Sequence, residues 1–371
     1  MKQYIHLLPV LLMTLLLATA CQSTRESTKN DTQNTVQKES IDTIWNTWDE
    51  ALKESYNNIY FEKDLQCEKP QEVAVYQMEQ AGNVDEKAEQ IRKEYVPDKE
   101  FHKKYYKENP NTVPPGPEYV DEKTGLTWII GDNGFINYSR SSDDTNYLDG
   151  EEDIEKTIFV NRPYQDEEVA LKDGKIMLSE AISMAQKEEE KWKKLSGDEC
   201  SARAKKVEIL PAADGGEEKA LKISFEKTYK GVGILTNQKT LWASQDKPLS
   251  VEYLSFFDDT LTITSTKGVE RFISNAGAVH RKTTERKLDR IVSLKSAIQI
   301  MGKELASYHD FKISHIDLCY RYVNKNIKRN DAGSVYTTSP CWVFYINEEQ
   351  SKEEFILVDC ENGKLDYIKN Y

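Results

Sequence analysis

Twice along the chain the same apolar spacing returns, L-x-x-A-I-x-x-(A/M): Leu178, Ala181, Ile182 and Ala185, then Leu294, Ala297, Ile298 and Met301. Residues three and four apart share one face of a helix, so each set reads as the buried stripe of an amphipathic helix. Ser293 stands where the second helix needs an N-cap. Each stripe is followed by a polar break and short alternating runs. After the first come Val207–Leu210 and Leu221–Phe225 around Ala213-Asp214-Gly215-Gly216, then Val251–Phe257, Leu261–Ser265 and Val269–Ile273, with Asp258-Asp259 at a turn. After the second, Ile316, Leu318, Tyr320 and Tyr322 alternate with Asp317, Cys319 and Arg321. Pro340 then opens Cys341–Ile346, and Asn362-Gly363 turns Phe355–Val358 back into Leu365–Ile368. A stripe must bury itself against an apolar face, and the following sheet is the nearest in sequence. The predicted fold class is α+β: repeated modules of one helix packed on a small antiparallel sheet, after a disordered N-terminal tether.

The beginning of the chain sets its location. Met1–Cys21 has a positive start at Lys2, an apolar Leu7–Leu17 run broken at Pro9 and Thr14, and small residues Ala18, Thr19 and Ala20 before Cys21. That is the layout of a secretory leader, too short to span a bilayer comfortably. The Ala-Thr-Ala-Cys ending resembles a bacterial lipobox, with Ala18 where Leu is usual. The resemblance makes Cys21 the lipidation site and first mature residue, with a lipid anchor as the membrane contact and the extracytoplasmic face as the location. Gln22–Glu39 is polar throughout and reads as a disordered tether, with a reach on the order of 25 Å.

The sequence divides into 1–20 as leader, 21–40 as tether, and modules at 41–165, 166–285 and 286–371. In the first module Ser40 is an N-cap for a stripe of Ile41, Ile44, Trp45, Trp48 and Leu52. Val73–Met78 reads as a strand and Asp85–Tyr95 as a helix stopped by Pro97. Asn109–Pro117 is a loop, and Gly131–Gly134 turns a hairpin between Thr127–Ile130 and Phe135–Tyr138. With 50 basic and 63 acidic residues the net charge is −13. Losing Lys2 with the leader gives 49 − 63 = −14. Such a surface is unsuited to nucleic acid, which is read through cationic phosphate contacts.

The order helix, strand, Ser-Pro-Cys-Trp-Val-Phe-Tyr strand, Phe-Ile-Leu-Val-Asp strand and Glu-Asn-Gly-Lys-Leu-Asp-Tyr-Ile resembles the PepSY-type module of Gram-positive envelope proteins. Pro340–Phe344 matches its Pro-x-aromatic strand and Val358–Gly363 its closing hairpin. The resemblance covers Ser293–Tyr371 and, more weakly, Ile176–Phe225, where the Pro-x-aromatic strand is missing. The chain as a whole, with leader and tether, resembles clostridial-type lipoproteins of unknown function. The PepSY resemblance implies a binding or regulatory role, as in regulators that restrain a sensor kinase.

Chemistry is sparse. Nucleophile elbows, zinc-protease helices and P-loops are absent from the sequence, and Gly231-Val232-Gly233 reads as a turn. From Asp144 an EF-hand loop would fit Asn146 and Glu155, but Leu148 takes position five and Gly150 falls one residue late. Ser141–Glu155 is therefore read as a solvated acidic loop. His315, Asp317 and Cys319 share a strand face and read as a polar outer surface rather than a metal site. With Cys21 lipidated, Cys67, Cys200, Cys319, Cys341 and Cys360 are an odd set. One pair among Cys319, Cys341 and Cys360 could bridge, while buried thiols are the simpler reading. No catalytic residue, metal or cofactor is nominated. The expected function is non-enzymatic: binding or regulating an envelope protein partner. Alternatives are capture of a solute or peptide, and an envelope hydrolase with an unrecognised site.

Overall fold

The computed structural model describes residues 36–54, 56, 58–80, 102–106, 116–121, 126–130, 136–140, 146–148, 153–161, 163–235, 259–274, 279–322, 335–346 and 354–369. The leader, Cys21, most of the tether, the expected helix at 85–95 and the expected strand at 251–257 lie outside these residues. Residues 37–371 form one compact unit, so the boundaries expected at 165 and 285 fall inside it. The fold is mixed α/β, with sheet dominating.

The first described strand is Lys38–Glu39, two residues paired with Ile291–Val292. Ser40 then caps helix α1 (Ile41–Asn46), accepting from the Thr43 N–H at 3.2 Å, as its residue type predicts. The expected single stripe is broken at Thr47, and α2 (Trp48–Ala51) follows. Strand β1 (Ala74–Gln80) comes next. In the same region, Leu126–Ile130 pairs with Ile136–Ser139 as the hairpin signal requires, although its turn lies outside the described residues.

Helix α3 (Leu178–Ser196) ends at Gly197, whose φ of 71° is the left-handed conformation that glycine adopts without a Cβ clash. Its stripe, Leu178, Ala181, Ala185 and Trp192, packs on Val207, Ile209, Leu221, Ile223, Phe225, Leu261 and Phe272. These come from β2 (Ser201–Pro211), β3 (Lys219–Tyr229), β5 (Asp259–Ile263) and the strand Arg271–Ser274. Between β3 and β5 lies β4 (Val232–Ile234), a tight hairpin return from β3 through Lys230 and Gly231, both at positive φ. Thus Gly231 is at a turn, as expected, but Gly233 is a strand residue. Asp259, read from sequence as part of a turn, is a buried strand residue opposite Phe225.

Helix α4 (Leu294–Glu304) buries Leu294, Ala297, Ile298 and Met301, and Ser293 caps it by accepting from Ser296 N–H at 3.2 Å. Fully burying a side chain such as Leu or Ile contributes roughly 1.5–3 kcal/mol, so three of these four hold α4 in place without help from charge. The helix precedes antiparallel β6 (Phe311–Tyr322), β7 (Val335–Ile346), β8 (Glu354–Asp359) and β9 (Leu365–Lys369). The predicted turn at Gly363, φ 74°, joins the last two.

Chain order does not set sheet order. Ile59–Phe61 lies parallel to Phe311–Ile313 of β6, and β1 lies antiparallel to Val335–Thr338 of β7. Residues before 80 are therefore built into the C-terminal sheet. Short parallel pairing of β4 with β6, Gly233 opposite Cys319 and Ile234 opposite Tyr320, joins the two halves of the ladder. No pairing among the described residues closes that ladder into a ring.

Candidate functional site

The densest set of polar side chains from distant segments lies where β4 brings the two sheets together. Gly233 permits this approach: a Cβ there would come within 3.0 Å of Cys319 Sγ and 3.2 Å of Glu226 Oε2. Around that contact β2, β3 and β6 contribute Arg203, Glu226 and Asp317.

Arg203 stands directly across the ladder from Glu226 and donates to its Oε1 through Nε at 2.7 Å. The same guanidinium donates to Asp317 Oδ2 at 3.1 Å and to Glu68 Oε2 at 2.8 Å. Arg203 is a quarter exposed, whereas Glu226 and Asp317 are buried. A planar group with five N–H donors is the side chain suited to three carboxylates arriving from three directions.

Asp317 also accepts from Leu318 N–H at 3.1 Å and from the Cys67 thiol at 3.6 Å. His315 Nε2 lies 3.6 Å from Asp317 Oδ2 and 2.9 Å from Asn161 Nδ2. Burial pushes the Asp317 carboxyl up, but hydrogen bonding to His315 and the Arg203 charge outweigh it and hold the group below the usual carboxylate range. Glu226 goes the other way: burial and the neighbouring Asp317 raise it, against Arg203.

This geometry corrects the sequence reading of β6. His315, Asp317 and Cys319 do share a face, but all three are buried at the junction rather than forming a wet outer surface. Alternation separates the two faces of a strand without saying what covers either one.

Nothing here prepares a nucleophile. The Cys67 thiol is raised by burial and by Asp317, and the group it donates to is an anion rather than a cation, the opposite of what activates cysteine. Burial likewise raises Cys200, Cys319 and Cys360, and pushes Cys341 up to about 12. All five described thiols are free, although Cys319 and Cys341 are directly opposed on β6 and β7. Among the described residues no group of three His, Cys, Asp or Glu side chains is placed to hold a metal ion. No described helix is long and apolar enough to cross a membrane.

Open space lies elsewhere. A cleft of about 540 Å³ runs along α3, lined by Arg140, Ser183, Met184, Lys187, Glu188 and Lys267. Arg140 and Lys267 also border a second cleft of about 430 Å³. Both linings mix charges of either sign.

No sequence signal pointed to Arg203. The available hint was Glu226-Lys227, charges on both faces of an otherwise apolar strand, which only a doubly covered strand would bury.

No protein-family model matches the chain, and no curated protein matches it either. Among solved structures, an uncharacterised protein from Eubacterium rectale ATCC 33656 is similar in fold, with a TM-score of 0.57 at 12% identity. That alignment covers 88% of this chain and 99% of the other. The C-terminal domain of Bacillus megaterium YpeB aligns over 78% of this chain and 100% of its own, at 12% identity and a TM-score of 0.30.

Proposed function

We propose that this is a lipid-anchored extracytoplasmic protein that binds or regulates another envelope protein and performs no catalysis. Its two helix-on-sheet units act as PepSY-like modules. The anchor is Cys21, and the polar tether keeps the folded body within reach of the membrane, where a high effective concentration lets weak contacts suffice.

The observation that carries this reading is the filled junction. The space between the sheets, where a ligand would enter, is occupied by Arg203 and the carboxylates it neutralises. A solute- or peptide-capturing lipoprotein would rest on the cleft along α3, whose mixed-charge lining selects no class of small molecule.

Two measurements test the proposal. Cells fed a labelled fatty acid should transfer the label to the wild-type chain and not to Cys21→Ala, which should also leave the membrane fraction. Cross-linking on intact cells followed by pull-down should recover a reproducible envelope protein. A pull-down without one, from cells in which the wild type is acylated, removes the binding role and keeps the anchor.

A further inference from the structure

Beneath α3, two buried carboxyl groups have no hydrogen-bond donor among the described residues. Glu189 is turned from the helix onto the sheet and is fully buried, and neither carboxyl oxygen has a hydrogen-bond donor among the described residues. Asp259 at the start of β5 is 1% exposed and in the same condition at both oxygens. The nearby cation, Lys227 of β3, places Nζ 2.5 Å from Asp198 Oδ2 and 3.7 Å from Asp259 Oδ2. Lys227 is therefore closer to the Asp198 carboxylate than to Asp259, which it meets across a long ion pair. Among the described residues, the carboxyl groups of Glu189, Asp259 and Asp198 thus gather around the Lys227 ammonium.

Two ionised carboxylates side by side have only acceptor oxygens to offer each other. If one is protonated, its O–H donates to the other, an acceptor in each group is used, and one buried charge disappears. We propose that Glu189 and Asp259 share one proton, and that this proton is a latch holding the C-terminal half of α3 on the sheet until the surroundings turn alkaline.

The charged groups that meet Glu189 come from three places: Asp259 on β5, Lys227 on β3, and Asp198 in the segment after the helix. Burial first, and then the Asp259 charge, hold the Glu189 carboxyl well above the usual range, with Lys227 opposing. Asp259 is raised by burial as well, against the Lys227 charge and the nearby Ser274 hydroxyl, which stands beyond full hydrogen-bond geometry. Loss of the proton to hydroxide yields water and a second buried anion, so the cluster goes from net −1 to net −2. Because the folded state binds the proton more tightly than the unfolded chain, its stabilising effect is full below the unfolded pKa. That effect is lost as pH rises through the folded one. Release would also reshape the cleft along α3, since Ser183, Met184, Lys187 and Glu188 of this helix line it.

The test uses the full chain and the amides of α4 as an internal reference. Hydrogen exchange, corrected for intrinsic rates, should show the opening constant of α3 rising by about tenfold per pH unit above the Glu189 titration, while α4 stays flat. Glu189→Gln, which keeps a donor toward Asp259, should flatten α3. Infrared spectra of the wild type at neutral pH should carry a protonated-carboxyl band that Glu189→Gln removes. Asp259→Asn covers the case in which that variant fails to fold: relieved of its acidic neighbour, Glu189 should ionise at lower pH and the α3 transition should move with it. Equal pH slopes for α3 and α4 in the wild type, absence of the carboxyl band, or an Asp259→Asn transition at the wild-type pH would each overturn the proposal.

Discussion

The two long helices rest on their sheets by different means. Every residue that α4 itself buries is apolar or small, and in the sheet that follows it Trp342 lies 5.9 Å from Trp45 and 6.2 Å from Trp48, with its indole N–H donating to Val292 C=O at 2.8 Å. The ion pairs of that sheet, Arg321 with Asp359 and Asp366, involve β6, β8 and β9, on residues that alternate with the Trp342 and Val358 face. Under α3 the charges sit between helix and sheet. Trp192, though 5.7 Å from Phe272, finds no acceptor for its indole N–H among the described residues. A helix held by apolar burial is indifferent to pH, whereas one held over a carboxyl pair is tied to a proton. The difference shows that the same stripe spacing can produce two attachments with different sensitivities.

The sharpest way to break this contrast is at the junction, where the charged half meets the apolar one. Arg203→Ala should destabilise the protein by about 3–5 kcal/mol, because Glu226 and Asp317 would remain buried without their cation. Adding Asp317→Asn should return part of that loss, and denaturant midpoints of the single and double variants measure it. The pH sign here is opposite to that under α3. Asp317 is held below its unfolded value, so its contribution is present above that value and is lost as pH falls through the folded one. A stability profile that declines on the acid side in the wild type and flattens there in Asp317→Asn would confirm the sign. An unchanged acid limb would remove Asp317 as its cause.

On the apolar side the corresponding probe is Gly302. A Cβ at this position of α4 would lie 2.2 Å from the Tyr56 ring, so the ring must move. Gly302→Ala should cost about 1–3 kcal/mol by overpacking, and much less in a Tyr56→Ala background. Equal costs in the two backgrounds would mean that α4 does not depend on this contact, and the picture of a tightly fitted apolar attachment would weaken.

What could be read from sequence follows the range of the interaction. Ser40 and Ser293 cap their helices, the stripes of α3 and α4 are buried, and Gly363 turns its hairpin, all because a few neighbouring residues decide these features. Pairing of Ile59–Phe61 and β1 with a sheet that begins at residue 311 is set by partners more than 200 positions away, and no local pattern records it. The same holds for β6. Its polar face looks like one meant for water until Arg203 of β2 reaches Asp317, and Asp259 looks like turn chemistry until Lys227 is placed beside it. Residues that defeat sequence reasoning here are charged and buried, and their partners come from other strands.

The smallest effect separates the ends of the two helices. At α4 the Ser293 hydroxyl accepts from Ser296 N–H at 3.2 Å inside a buried turn. At α3 the N-cap is Met177, without a side-chain acceptor, and the Asp166 carboxylate substitutes from outside the helix, accepting from Ser179 N–H at 3.0 Å. A cap supplied by its own helix is lost with one oxygen atom. Ser293→Ala should therefore cost about 1 kcal/mol, read as a lowered denaturation midpoint with an unchanged slope, since only the folded state changes. Asn retains an acceptor at this position, so Ser293→Asn should recover most of the loss if capping is what the hydroxyl does. If alanine and asparagine cost the same, the residue matters through packing against the strand pair of Lys38–Glu39 and Ile291–Val292 beside it, and the start of α4 would be fixed by the chain entering from the tether rather than by its cap.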